Sequence, residues 1–396
     1  MALHGRLGTS RKTGVSGVSS AGIVVVLALV LGLVLSVSAA GLAQPIRIGL
    51  QGPITGAWAL EGEMAVNSVQ VVADQINARG GVLGRPIEIV IGDDQGEVRQ
   101  SALTAQRMIA EGVVAVISSY GSSITEAAQL IYEDAGLLNI AYGATAETLT
   151  QHGHQYFFRT SFRDDRQGDF FAELVTTHLN LERVAIIHDN STFARGLAEA
   201  ARRSLAGKPG VQVVFYDAIT AGERDFTATI SRMRTTNPEV VYFTAYYPEA
   251  GLFLRQMRDA GVDALFVGGN AAINDEFIEI AGREIAAGSL ITQEPLPTDL
   301  DYPESIQFLN EYVARHGAPP STPWPVYAAD ALNVIVAAIE ATGSTDSTVL
   351  ANYIRNELNI NGITGPISFE PTGDRAGAIY KAYVVDENGN IVDAGY

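Results

Sequence analysis

From residue 46 almost to the C-terminus, short apolar runs rich in β-branched residues alternate with longer amphipathic ones, which leaves few folds open. "IRIGL" (46–50) is followed by a helical stretch from about Glu61 to Ala78 that ends in "ARGG". Then come "RPIEIVIGDD", "VRQSALTAQRMIAEG", "VVAVISS", "TEAAQLIYEDAG" and "LLNIAYG". The second half repeats the device with "RVAIIHD", "ARGLAEAARRSLAG", "VQVVFYD", "FTATISRMRT", "EVVYFTAY", "EAGLFLRQMRDAG" and "ALFVGGN". Strands without polar alternation are buried on both faces, and intervening helices imply right-handed parallel crossovers. Glycine after most helices suits the left-handed cap. The expected fold class is α/β with doubly wound parallel sheets. The final stretch from Gly365 loses helical period and reads as antiparallel strands around an Asn388–Gly389 turn.

The N-terminus reads differently. Arg6, Arg11 and Lys12 precede an uncharged apolar stretch from Ala21 to Val37, and "SVSAAGLAQP" follows. A positive start, an apolar core and a small-residue exit describe a secretory signal peptide over residues 1–43, cleaved after Ala43 or slightly earlier. The competing reading is an uncleaved anchor, since the stretch approaches the roughly 20 residues that span a bilayer. Without cysteine the exported chain can carry neither a lipid on a new N-terminal cysteine nor a disulfide, so a soluble periplasmic protein is expected. Loss of the three basic residues leaves 23 Lys and Arg against 44 Asp and Glu, a formal charge of −21. That field repels nucleic acid and anionic lipid. The roughly 350 remaining residues suit two domains, and a polar, charged break at "YFFRTSFRDDRQGDF" (156–170) separates two α/β runs. A weaker break lies at "QEPLPTDLDYPE" (293–304).

Dinucleotide, P-loop, serine-hydrolase and zinc-protease signatures are missing. The six histidines are scattered. "QHGH" (151–154) reads as a solvated loop rather than half a metal site, and "HDNSTF" (188–193) as a polar strand end rather than an acid–base pair. No cofactor or metal is expected. In open parallel sheets ligands bind beyond the carboxyl ends of strands, where helix N-termini offer free N–H groups and a favourable dipole to anions. "SSYGSSITE" sits at such an end. Ser123 with Glu126 fits a capping box, which leaves Ser122 and the amides around Gly121 for a carboxylate. Taken alone, capping is the simpler use of these hydroxyls. One strand later Tyr142–Gly143–Ala144–Thr145 repeats the device, and "FTAYYPE" (243–249) sets Tyr246 opposite them. Two lobes with matching strand ends imply a cleft between them.

These stretches, with "QINARGGVLGRPIEIVIGDD" and "AITAGERDFTATISRMR", make the chain resemble the periplasmic substrate-binding proteins of branched-chain amino acid ABC transporters over residues 46–390. The resemblance implies two lobes joined by three hinge crossings and closing over a small carboxylate-bearing ligand. Lobe 1 would span 44–163 plus 294–372, and lobe 2 164–293 plus 373–396. It also implies a membrane permease as partner, a monomeric state and no catalysis. The carboxylate-gripping serine of that family falls on Ser122, beside Tyr120 and Gly121. The ammonium-accepting carbonyl falls on Gly143, next to Ala144, and the threonine touching both ligand ends on Thr145. Lobe 2 aromatics fall on Phe193 and Tyr246, and the first loop's lining on Trp58 and Glu61. Positions that carry a disulfide in some relatives are Gly96 and Gly121. The acid that balances the ammonium falls on Asn270, so a nearby carboxylate such as Asp275 or Glu249 must replace it, or the ligand is a carboxylic acid or amide without an amino group. A sensor of the same fold is the alternative to transport. An enzyme using His188 or Asp189 lacks a paired nucleophile.

Overall fold

The computed structural model describes residues 44–396 and Gly8, so the expected signal peptide lies outside the described residues. The first five apolar runs form β1 (Ile46–Gly52), β2 (Ile87–Asp93), β3 (Ala115–Ser118), β4 (Leu138–Ala141) and β5 (Phe157–Arg159). They make one parallel sheet in the order β2-β1-β3-β4-β5. Between them run α1 (Ala59–Ala78), α2 (Val98–Ala110) and α3 (Ser122–Asp134).

The second sheet begins with β6 (Arg183–His188), β7 (Gln212–Ala218), β8 (Val240–Phe243), β9 (Leu265–Gly268) and β10 (Leu290–Gln293). Its helices are α4 (Asp164–Glu173), α5 (Thr192–Ala206), α6 (Thr227–Arg234), α7 (Tyr247–Asp259), α8 (Asp275–Ala281) and α9 (Arg283–Ala286). The chain then returns to the first sheet with α10 (Pro303–His316), α11 (Trp324–Thr342) and α12 (Ser347–Asn356), and makes a hairpin of β11 (Ile360–Gly362) and β12 (Gly365–Ile367). It crosses a third time to end as β13 (Lys381–Val385) and β14 (Ile391–Asp393), giving the order β14-β13-β10-β9-β8-β6-β7. The last two strands are antiparallel, and Gly389 at φ +81° turns between them. The doubly wound α/β expectation holds in both lobes.

Strands β3, β4, β8 and the tail of β9 are fully buried, as unalternated apolar runs require. The edge strands β2 and β7 are half-exposed, whereas β5, at the other edge of the first sheet, is buried. Among the described residues α11 is the one helix long and apolar enough to cross a membrane, yet 72% of its apolar window is buried. It packs on α1 and β3 as a core helix.

The charged break at 156–170 is not a loop. It holds β5 and the start of α4, and its Arg159 is fully buried. Arg159 donates from Nε to Asp374 Oδ1 at 2.7 Å, joining the first crossing to the third. Arg163 adds a second bond to Asp374 at 3.2 Å. Burial pushes the Asp374 carboxyl up, but Arg159, Thr372 and Arg163 together hold it below its ordinary range. Removing either member of such a buried pair strands the other in a poor solvent for charge.

Candidate functional site

The loop from β3 to α3 uses its hydroxyls unequally. Ser118 donates to Asn139 and Ser119 to Asp94 at 2.5 Å, both inside the first sheet's core. The expected capping box is absent. Helix α3 starts two residues earlier, with Gly121 in extended conformation as its N-cap and no side-chain cap. Ser123 therefore lies inside the first turn and reaches across to α5, accepting from the Thr192 backbone N–H at 2.9 Å. Glu126 likewise accepts from the Thr192 hydroxyl at 2.8 Å. Ser122, at the first helical position and buried, accepts from the Ala146 N–H at 3.2 Å and so ties the two strand-end loops together.

Arg159 shapes the second loop. Its Nη1 donates to the carbonyls of Ala144 and Ala146 at 3.0 and 2.9 Å, and Nη2 to the Thr150 hydroxyl at 2.8 Å. Gly143 packs so closely on Tyr120 that an added Cβ would lie 2.8 Å from the Tyr120 carbonyl oxygen. The Thr145 carbonyl accepts from the Asp164 N–H at 3.0 Å. Burial pushes the Asp164 carboxyl up to about 8, against the opposing pull of Thr145 and Arg159.

Across the cleft, Tyr246 forms the N-cap of α7 and is buried. Its ring lies 4.2 Å from Trp58, 5.8 Å from Tyr120 and 5.3 Å from Phe193. Its hydroxyl lies against the start of α3, 3.2 Å from where a Cβ on Gly121 would stand. The structure thus gathers Trp58, Tyr120, Gly121, Ser122, Phe193 and Tyr246 at one place, with Gly143–Thr145 alongside. Trp58 fits because two glycines flank it. A Cβ on Gly96 would sit 2.7 Å from the indole Cε3, and one on Gly121 3.0 Å from Cζ3. The two glycines make room for a ring.

Glu61 is buried one turn beyond Trp58, its N–H donating to the Trp58 carbonyl at 3.1 Å. It accepts from the Thr322 hydroxyl at 2.7 Å and from Asn274 Nδ2 at 3.3 Å, bridging the lobes. Burial pushes it up to about 7, against both donors. The Tyr247 hydroxyl donates to the Ala57 carbonyl at 2.8 Å, a further direct link between the lobes beside those of Thr192 and Asn274.

Asn270 is buried but not beside the carboxylates named from sequence. Asp275 is exposed on α8. Glu249 accepts from the Gly222 N–H and lines an outer cavity of about 630 Å3 with Trp58, Tyr246 and Asp189. The acid at Asn270 is Glu294, which accepts from Asn270 Nδ2 at 3.2 Å. Burial pushes Glu294 up to about 7, with Asn270 among the groups opposing the rise. His188 ends β6 and its Nδ1 accepts from the Asn190 N–H at 3.2 Å. "QHGH" lies in an irregular segment, with His152 exposed and no ligand set around it. Among the described residues no group of three or more His, Asp or Glu could hold a metal ion.

Sequence reasoning missed Asp164, Glu294, Thr322, Asn274 and Trp324, whose ring lies 6.0 Å from Tyr120. Asp164 and Glu294 had one signal: acids directly beside apolar strands or at the start of a packed helix.

A family model described as periplasmic binding protein matches residues 45–390. The Leu/Ile/Val-binding protein of Escherichia coli (strain K12) is 33% identical over 362 residues, which are 91% of this chain and 96% of that protein. The crystal structure of a leucine binding protein, LivK, from Thermotoga maritima superposes with TM-score 0.82 at 29% identity, over 88% of this chain and 98% of the other. That of the branched-chain amino acid transporter substrate binding protein LivJ from Streptococcus pneumoniae, in complex with isoleucine, gives 0.79 at 28% identity over 88% and 97%. With the family model covering nearly all described residues and two parallel-sheet lobes facing each other across matched strand ends, the chain belongs to the periplasmic binding protein family.

Proposed function

We propose that this protein is the solute-binding component of an ABC importer and takes a small apolar amino acid of the branched-chain class between its lobes. Binding rather than catalysis is the family's activity, and relatives named for leucine, isoleucine and valine support the solute class. The carrying observation is the pair of neighbouring strand ends joined through Ser122 and Ala146 and faced by Tyr246 of the other lobe. In this reading the Ser122 and Thr145 hydroxyls and the first amides of α3 hold the carboxylate. Gly143 and Ala144 lie along the ligand's α-carbon, and Tyr120, Trp58, Phe193 and Tyr246 wall its apolar tail. Contacts from lobe 2 exist only when the lobes meet, and that difference drives closure. Lobe 1 is residues 44–163 plus 294–372 and lobe 2 is 164–293 plus 373–396. Residues 1–43 export the chain to the periplasm, where the monomer delivers its solute to a membrane permease.

Calorimetric titration with leucine, isoleucine and valine tests this. Ser122→Ala is expected to weaken binding by ~1.5–3 kcal/mol, the worth of a hydrogen bond to a charged group, without unfolding the protein. An unchanged binding constant would remove Ser122 from the site.

A further inference from the structure

The position to which the family resemblance assigns the ammonium-balancing acid is Asn270 here, and the structure places one carboxylate, Glu294, beside it and a second, Asp164, within electrostatic reach of Glu294. Glu294 and Asn270 are both buried, 3.2 Å apart from Oε2 to Nδ2. Asp164 is fully buried and electrostatically coupled to Glu294. Gln167, one turn further along the same face of α4, donates through Nε2 to the Thr292 carbonyl and hydroxyl at 2.7 and 2.8 Å. Thr292 and Glu294 alternate on one side of the chain as β10 runs into the second crossing. The Tyr242 hydroxyl closes that side at 3.1 Å from Thr292.

Most of the unmet hydrogen-bonding capacity in this cluster is on acceptors. Both oxygens of Asp164, Oε1 of Gln167 and Oδ1 of Asn270 are buried without a donor in bonding geometry. The Thr145 hydroxyl, which acts on Asp164, is buried and unpartnered too, and one hydroxyl cannot serve four acceptors. The cation that acts on Asp164, Arg159, directs its N–H groups at Asp374, Thr150 and the carbonyls of Ala144 and Ala146. Buried acceptors demand donors, and buried carboxylates demand positive charge. A primary ammonium brings both, with three N–H groups on one small cation.

We infer that Glu294, seconded by Asp164, receives the ammonium group of the solute, so that the charge missing from position 270 re-enters from the crossing between the lobes. This rests on the amino-acid reading above and refines it: the solute keeps its amino group, and Asn270 orients Glu294 instead of meeting the charge itself. Asp275 and Glu249 take no part.

The test is calorimetry with L-leucine and with 4-methylpentanoate, which is leucine without its amino group. Wild-type protein is expected to prefer leucine by roughly a hundredfold or more, because a site built around a hydrogen-bonded group rejects the analogue lacking it. Glu294→Gln, which keeps the shape and the bond to Asn270, should cost leucine at least about tenfold and leave 4-methylpentanoate nearly unchanged. Returning a carboxylate through Asn270→Asp in the Glu294→Gln background should recover most of the loss, which a general folding defect would not allow. Unchanged leucine binding in folded Glu294→Gln overturns the inference. If wild-type protein binds 4-methylpentanoate as tightly as leucine, the carboxylate clamp survives and the role of Glu294 alone falls. Wild-type protein that binds neither compound sinks the amino-acid reading and this inference together.

Discussion

The two walls of the cleft differ in how much backbone they contribute. Lobe 1 adds backbone to its rings: the N-cap of α3, the Gly143–Ala146 loop and the carbonyls that Arg159 holds from behind stand beside Trp58 and Tyr120. Lobe 2 contributes Phe193 and Tyr246 as packed rings. A wall of backbone has no rotamers of its own to adjust, so its geometry depends on a rigid support. That support is the buried Arg159–Asp374 pair and the Ser122 bond to Ala146. A wall of rings depends on what it packs against, and Tyr246 packs mostly on residues of the opposite lobe. Lobe 1 is therefore built to be pre-formed, whereas lobe 2 is completed only on contact.

Breaking the support of lobe 1 should have the largest effect. Arg159→Met leaves Asp374 buried with only Arg163 nearby and frees the second loop. We expect a loss of roughly 3–5 kcal/mol in urea unfolding, as for other broken buried ion pairs. A loss well under 1 kcal/mol would show that the loop holds itself and that the contrast between the walls is false. A smaller effect is expected from Gly96→Ala. The added methyl meets the Trp58 ring, and Gly96 has φ +68°, so roughly 1–3 kcal/mol of overpacking and strain should appear. Tryptophan fluorescence should shift with it; an unmoved spectrum would mean that Trp58 is not wedged between the two glycines.

The third test sets the acids against the donors by pH. Asp164, Glu294 and Glu61 all have folded-state values raised, to about 8, 7 and 7. The folded protein then holds more protons than the unfolded chain between their ordinary values and these. Stability of the empty protein should be full below about pH 4 for these groups and fall as pH rises through 5 to 8. Saturating leucine should flatten the fall, since an ammonium at Glu294 favours its charged form. Melting temperatures of the empty protein that rise over that window would contradict it.

How much could be read in advance follows from distance along the chain. The strand-end loops were legible because an apolar run, a turn of small residues and a helix start are contiguous, and "SSYGSSITE" and "AYGATAE" each carry the whole device. Even there one detail failed. Ser123 and Glu126 have capping-box spacing, but a helix that begins at Ser122 sends both side chains to Thr192. Glycine at positions 96 and 121 is legible too, but not that Trp58 occupies the space between them.

Local order therefore decided the alternation of strand and helix, the parallel sheets and the strand ends at which a ligand sits, because these follow from the periodicity and conformational preference of adjacent residues. The tertiary structure alone decided which acid stands by Asn270, which arginine holds the second loop, and what covers Trp58. Those pairings join the first, second and third crossings of the chain, and burial gives them their energy. A carboxylate in "TQEPLP" is one surface acid among many until folding removes its water, and only then does its need for a cation become specific.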